Sequence, residues 1–286
     1  MIPGTPAPKR TVPFRFPAVD APPSGRSRSR RLAPAWVLIT FGIVALVLTT
    51  SLLGLLAPWP YASETDNWRT QAYGQDLGNL LAAVTLLAGM FASVRGSLRG
   101  LLVWAGALLY LAYAFVIYAM TVHFGSLFLP YVAVLGLSVY ALAFGLRWWD
   151  GGVRVARRPM VIGSAVIASL AVLFGLLWLA SIVPALLGGR VPAELAASGL
   201  AANPVHVLDL ALVLPGMLIT ARLALKGSEP AQVLLAPWLV FSVLMAASVT
   251  ITLVLGAAIA PAVVVGVLTV VSGVAGTLVI RATTPA

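Results

Sequence analysis

The chain contains no cysteine, and only 9% of its 286 residues are Asp, Glu, Lys or Arg. The first absence excludes a disulfide framework, a thiol nucleophile and an iron–sulfur cluster. The second excludes a soluble enzyme, since soluble domains average about 25% charged residues and need them to cover a water-facing surface. Neither a phosphate-binding Walker loop nor a dinucleotide glycine motif occurs. Histidine is nearly absent as well, with only His123 and His206, and acidic side chains number eight.

What is abundant is apolar sequence, 60% of the chain. A bilayer-spanning helix needs about 20 largely apolar residues. Eight such stretches are expected, at Trp36–Ala57, Asp76–Val94, Leu101–Thr121, Leu127–Leu146, Met160–Leu187, His206–Leu225, Gln232–Leu255 and Ala260–Ile280. The runs are continuous rather than alternating, which favours helices over a membrane β-barrel. The poorest separator is the last, Gly256-Ala257-Ala258 with Pro261. The expected fold class is therefore all-α, a polytopic membrane helix bundle.

Basic residues orient the spans. With the N-terminus inside, sixteen Lys and Arg fall on the cytoplasmic side and only Arg69 and Arg190 outside. The alternation holds at every loop, so both termini are expected in the cytoplasm. The net charge of +10 is explained by this asymmetry and by anionic lipid headgroups, without nucleic acid as a partner. Residues 1–33, rich in Pro, Arg and Ser, read as a disordered basic tail, with 34–286 as the transmembrane domain. Trp59, Trp148 and Trp149 fall where an interfacial aromatic belt is expected. High Ala, Gly, Arg and Pro usage suggests a GC-rich bacterium, and the inner (plasma) membrane is the expected location.

Ionisable residues inside spans are costly and are the default functional candidates. Asp76 and Asn79 fall in the first turns expected for span two, His123 at the outer end of span three, and His206 and Asp209 in the first turns of span six. All lie on the expected outer side. Asn203 suits a helix N-cap and Pro204 the first helical position. His206 and Asp209, three apart, share one helix face, as do Asp76 and Asn79. If the helices touch, these groups would converge on one outward-facing polar pocket. Tyr110, Tyr113 and Tyr118 would line it and Tyr131 would reach its rim, while Pro215 would bend span six below it. Glu64, Asp66 and Arg69 read as solvated loop residues.

The sequence is also compatible with a duplication, 34–158 against 159–286. In each half the second span opens with Asp-Leu, at Asp76-Leu77 and Asp209-Leu210, after 18 residues of outer loop. Parallel repeats with a site at their interface are common among transporters.

The order Gln75-Asp76, Val122-His123-Phe124 and Asn203-Pro204-Val205-His206-Val207-Leu208-Asp209 resembles a group of uncharacterised multi-pass bacterial membrane proteins. The resemblance covers most of the chain after residue 34 and implies no particular activity.

Three functions are compatible with the residues. One is a non-catalytic sensor, assembly factor or accessory subunit whose outer pocket is structural or binds a lipid or small molecule. A second is a transporter of protons, ions or a small molecule, with Asp76 and Asp209 as the binding groups. A third is a metal-dependent enzyme acting on a lipid or small amphiphile. There, His123, His206 and Asp209 would ligate zinc and Asp76 would act as general base.

Overall fold

The computed structural model describes residues 32–146 and 152–285. The basic tail, apart from its last two residues, and Trp148 and Trp149 lie outside the described residues. Among those described, eight helices are long and apolar enough to cross a membrane. They are α1 (Pro34–Leu56), α2 (Asp66–Val94), α3 (Leu98–Thr121), α4 (Phe128–Gly145), α5 (Arg157–Leu187), the composite span Pro204–Leu225, α9 (Glu229–Leu255) and α10 (Ile259–Arg281). A short α6 (Ala193–Ser198) precedes the composite span. That span is built from α7 (Pro204–Leu208), a π-helical turn (Asp209–Val213) and α8 (Leu214–Leu225). One two-stranded ribbon pairs β1 (Val153–Val155) with β2 (Thr283–Pro285), antiparallel. The chain is an all-α multi-pass bundle, as expected.

Local chemistry sets the ends. Thr65 caps α2 by accepting from the Trp68 N–H, and Ser97 caps α3 by accepting from the Gly100 N–H. Asn203 accepts from the Val205 and His206 N–H groups with Pro204 at the first position, the expected cap. The tight turn between α2 and α3 runs through Gly96 at φ +84°, a conformation open to glycine at little steric cost. The doubtful boundary near Gly256 is a real break. It turns through Ala257 at φ +55°, and α10 begins at Ile259.

One expected boundary differs by ten residues. Span two was expected to open at Asp76, where the apolar run opens, but α2 opens at Asp66. The added stretch is polar on one face, where Gln71 donates to Asn67 at 2.7 Å, and buries Trp68, Ala72 and Gly74 on the other. Apolarity marks where a helix meets lipid, and here the helix continues past that point. Asp76 consequently sits about 15 Å along α2 instead of at its start.

Helices α1 to α4 pack in a ring, each on the next, with α4 returning to α1. Helix α5, the composite span, α9 and α10 follow the same cyclic order, with α10 returning to α5. Helix α9 lies against α2 and α3 and joins the two rings. Helix α3 is the buried axis, with Trp104, Leu108, Tyr110, Leu111 and Phe115 fully enclosed. Trp104 Nε1 donates to Thr40 Oγ1 of α1 at 2.9 Å. Arg99, Arg154, Arg157, Arg222, Lys226 and Arg281 fall at one end of the bundle, hereafter the basic end. Arg99 of α3 there donates to the backbone carbonyl of Arg281 at 2.8 Å.

Candidate functional site

The structure places the polar side chains in three clusters around α3. In the first, Asp76 is fully buried. Its Oδ2 accepts from the Tyr61 hydroxyl at 2.7 Å and its Oδ1 from the Tyr118 hydroxyl at 3.0 Å. The Tyr118 hydroxyl also lies 3.1 Å from the carbonyl of Ala72. Tyr131 of α4 closes the cluster, its ring edge-on to Tyr118 at 5.2 Å. Gly54 of α1 makes the room: a Cβ there would collide with Asp76 Oδ2 and the Tyr61 hydroxyl. Burial, with the Asp76 carboxylate beside it, pushes the Tyr61 phenol well above its ordinary value. Tyr61 is therefore a donor at any physiological pH.

The loop carrying Tyr61 is fastened from both sides. Arg69 donates to the carbonyls of Tyr61 and Glu64 at 3.4 and 3.1 Å and pairs with Asp66 at 3.2 Å. Glu64 was expected to be solvated and is instead buried. Its carboxylate accepts the His123 backbone N–H at 2.8 Å and meets His123 Nδ1 at 2.9 Å. A buried carboxylate needs such partners, and they come from the loop between α3 and α4, 59 positions away. Beside this latch is a cavity of about 70 Å³, lined by Trp59, Ser63, His123, Ser126 and Tyr131 among others.

The second cluster faces α9. Gln75 donates to the Tyr110 hydroxyl at 2.6 Å and lies 3.2 Å from Asn79 Oδ1. Ser248 of α9 donates to Gln75 Oε1 at 3.1 Å. Gly74 and Gly78 let α2 approach this closely, since a Cβ at either would meet Thr252 or Ser248. The Asn79 amide nitrogen is buried with no hydrogen-bond partner.

The third cluster is Asp209. Its Oδ1 accepts from the Tyr113 hydroxyl at 3.0 Å and its Oδ2 from Trp178 Nε1 of α5 at 2.9 Å. His206 lies against the Trp178 ring at 4.7 Å, and its Nε2 is buried without a partner. The local backbone is irregular for a reason. Pro215 has no N–H and would clash with the carbonyl four residues back. A π-helical turn absorbs this: the Leu214 N–H bonds the Asp209 carbonyl five residues back. The bend expected from Pro215 is taken up as this turn, above the proline.

The expected single pocket is thus divided. Asp76 is grouped with Tyr118, Asp209 with Tyr113 and His206, and Asn79 with Tyr110, while His123 turns outward to Glu64. His123, His206 and Asp209, the set considered for zinc, do not form one group: among the described residues no three His, Asp or Glu side chains are placed to hold a metal ion. Both oxygens of Asp209 are engaged by Tyr113 and Trp178, and His123 is held at the Glu64 latch.

Tyr61, Trp178 and Ser248 belong to these clusters and escaped sequence reasoning. Tyr61 had a signal, because Pro58-Trp59-Pro60 forces a turn that can fold the next side chain inward. No family model, curated protein or solved structure matches the chain.

Proposed function

We propose that this multi-pass membrane protein is a non-catalytic sensor, assembly or accessory subunit. Its buried carboxyl groups hold the bundle together, and its small outer cavity at the His123 latch faces the ligand side. One observation carries the reading: all four oxygens of Asp76 and Asp209 are engaged by the chain's own Tyr61, Tyr118, Tyr113 and Trp178. Groups so engaged tie the 57–65 loop to α2, α2 to α3, and the π-helical turn to both α3 and α5 before any ligand arrives. The polar lining of the outer cavity suits a small hydrogen-bonding ligand or a partner's loop.

A second reading, a transporter of protons or cations, is favoured by one specific feature. Asp209 opens a π-helical turn inside a span, and such turns often occur at functional sites. Reconstitution separates the two. In vesicles with a trapped pH dye, the structural reading expects no proton flux above protein-free vesicles and a lowered melting midpoint for Asp76→Asn. A flux that Asp76→Asn or Asp209→Asn abolishes while the midpoint stays in place would replace it with transport.

A further inference from the structure

A second cavity lies at the basic end, away from all three clusters. It measures about 270 Å³, against the roughly 10–15 Å³ that one water needs. Its lining is Arg154 and Val155 of β1, Arg157 and Met160 of α5, Gly227, and Glu229 and Gln232 of α9. The ribbon of β1 and β2 fixes the wall, because alternation along β1 buries Val153 and Val155 and leaves Arg154 exposed.

Four features converge on this space. Arg154 and Arg157 have no ion-pair or hydrogen-bond partner among the described residues. Gln232 is 8% exposed, and its Oε1 is fixed by the Val155 N–H at 2.9 Å. That leaves its amide nitrogen as a donor with no acceptor among the described residues, on a side chain lining the cavity. Helices α5 and α9 both start at this wall, and neither has a side-chain cap. Uncapped helix starts present N–H groups and the positive end of the helix dipole. Finally, two arginines and one glutamate sum to one positive charge (+2 − 1 = +1).

We propose that this cavity binds a phosphodiester anion, with Arg154, Arg157 and the Gln232 amide as donors. Arginine and helix N-termini are the usual partners of phosphate oxygens. A phosphodiester carries one negative charge, matching the lining. The cavity opens at the starts of two spanning helices, the depth at which lipid headgroups lie, and basic pockets between spans on that side take anionic lipids. The shared chemistry is the phosphate group, and its two sources are a phospholipid headgroup and free phosphate.

The test uses the full chain purified in a neutral detergent and follows the melting midpoint. The probes are short-chain phosphatidylglycerol, short-chain phosphatidylcholine and inorganic phosphate. Phosphatidylglycerol is expected to raise the midpoint by roughly 2–4 °C at ten times its dissociation constant. The rise should vanish in Arg154→Gln/Arg157→Gln and persist in Arg222→Gln, which removes a charge at the same end outside the cavity. Gln232→Glu keeps the acceptor for the Val155 N–H, so it should fold, and it should lose the rise because a repelling oxygen replaces the donor. An equal, arginine-dependent rise with inorganic phosphate alone assigns the site to the free anion. A rise retained in the double variant, or none with either phosphate source, overturns the proposal.

Discussion

Asp76 and Asp209 sit in the second span of their respective rings, and both are bonded by tyrosines of α3, yet they are built differently. Asp76 is fully enclosed, inside a regular helix, and a loop folds back to cover it with Tyr61. Asp209 keeps 8% exposure at the mouth of an irregular span, where an indole replaces the covering tyrosine. Sealing depends on what the preceding loop does. The 57–65 loop is fastened by Arg69 and the Glu64–His123 latch. The 188–203 loop instead forms α6, which touches α2, with Thr65 Oγ1 and the Ser198 carbonyl 3.4 Å apart. One carboxyl is part of a closed core; the other lies near a surface.

The comparison breaks most visibly at Asp76→Ala. That change orphans the buried Tyr61 hydroxyl and leaves a cavity, and should cost roughly 2–4 kcal/mol. Asp209→Ala, nearer the surface, should cost about 1–2 kcal/mol. The fraction surviving a heating series by size-exclusion chromatography measures both. An equal loss would mean the two sites are equally sealed.

The helix in front of each carboxyl gives the next contrast. Gly54→Ala drives a methyl into Asp76 and Tyr61 and should destabilise by about 1–3 kcal/mol. Gly175→Ala in α5 meets only Leu214 Cδ1, at 3.8 Å, and should be neutral or slightly stabilising, by less than about 1 kcal/mol. Thermal midpoints in micelles decide the sign.

A finer test is a pair of double-mutant cycles. The coupling of Tyr118 with Asp76 should exceed that of Tyr113 with Asp209, each being of order 1 kcal/mol. The smallest effect is expected of His123→Ala, under about 1 kcal/mol. The His123 side chain is 64% exposed, and the backbone N–H that Glu64 accepts survives the change. Limited proteolysis of the 57–65 loop reads it out, and rapid cleavage there would make the imidazole the latch itself.

The spans were legible because lipid demands length and apolarity, and both are written residue by residue. Seven of the eight starts fall within three residues of expectation, from Trp36 against Pro34 to Gln232 against Glu229. Asp76 missed because Thr65 and Asp66 start a helix in polar sequence, where no apolar run announces it. The site residues were legible by scarcity: Asp76, His206 and Asp209 stand out in an apolar chain. Their partners were not, because partnership depends on how each helix is rotated about its axis. Nothing local distinguishes Trp178, which bonds Asp209, from Trp59, which is half-exposed in the loop after α1. Glu64 was misread because its partner arrives from another loop.

Two tyrosines of α3 have a mechanical consequence. Tyr113 and Tyr118 are five residues apart, about 7.5 Å along a rigid rod, and each grips a carboxyl in a different ring. Rotating or sliding that rod would strain both grips at once. Helix α3 is therefore a shared strut, to which a carboxyl of each ring is bonded.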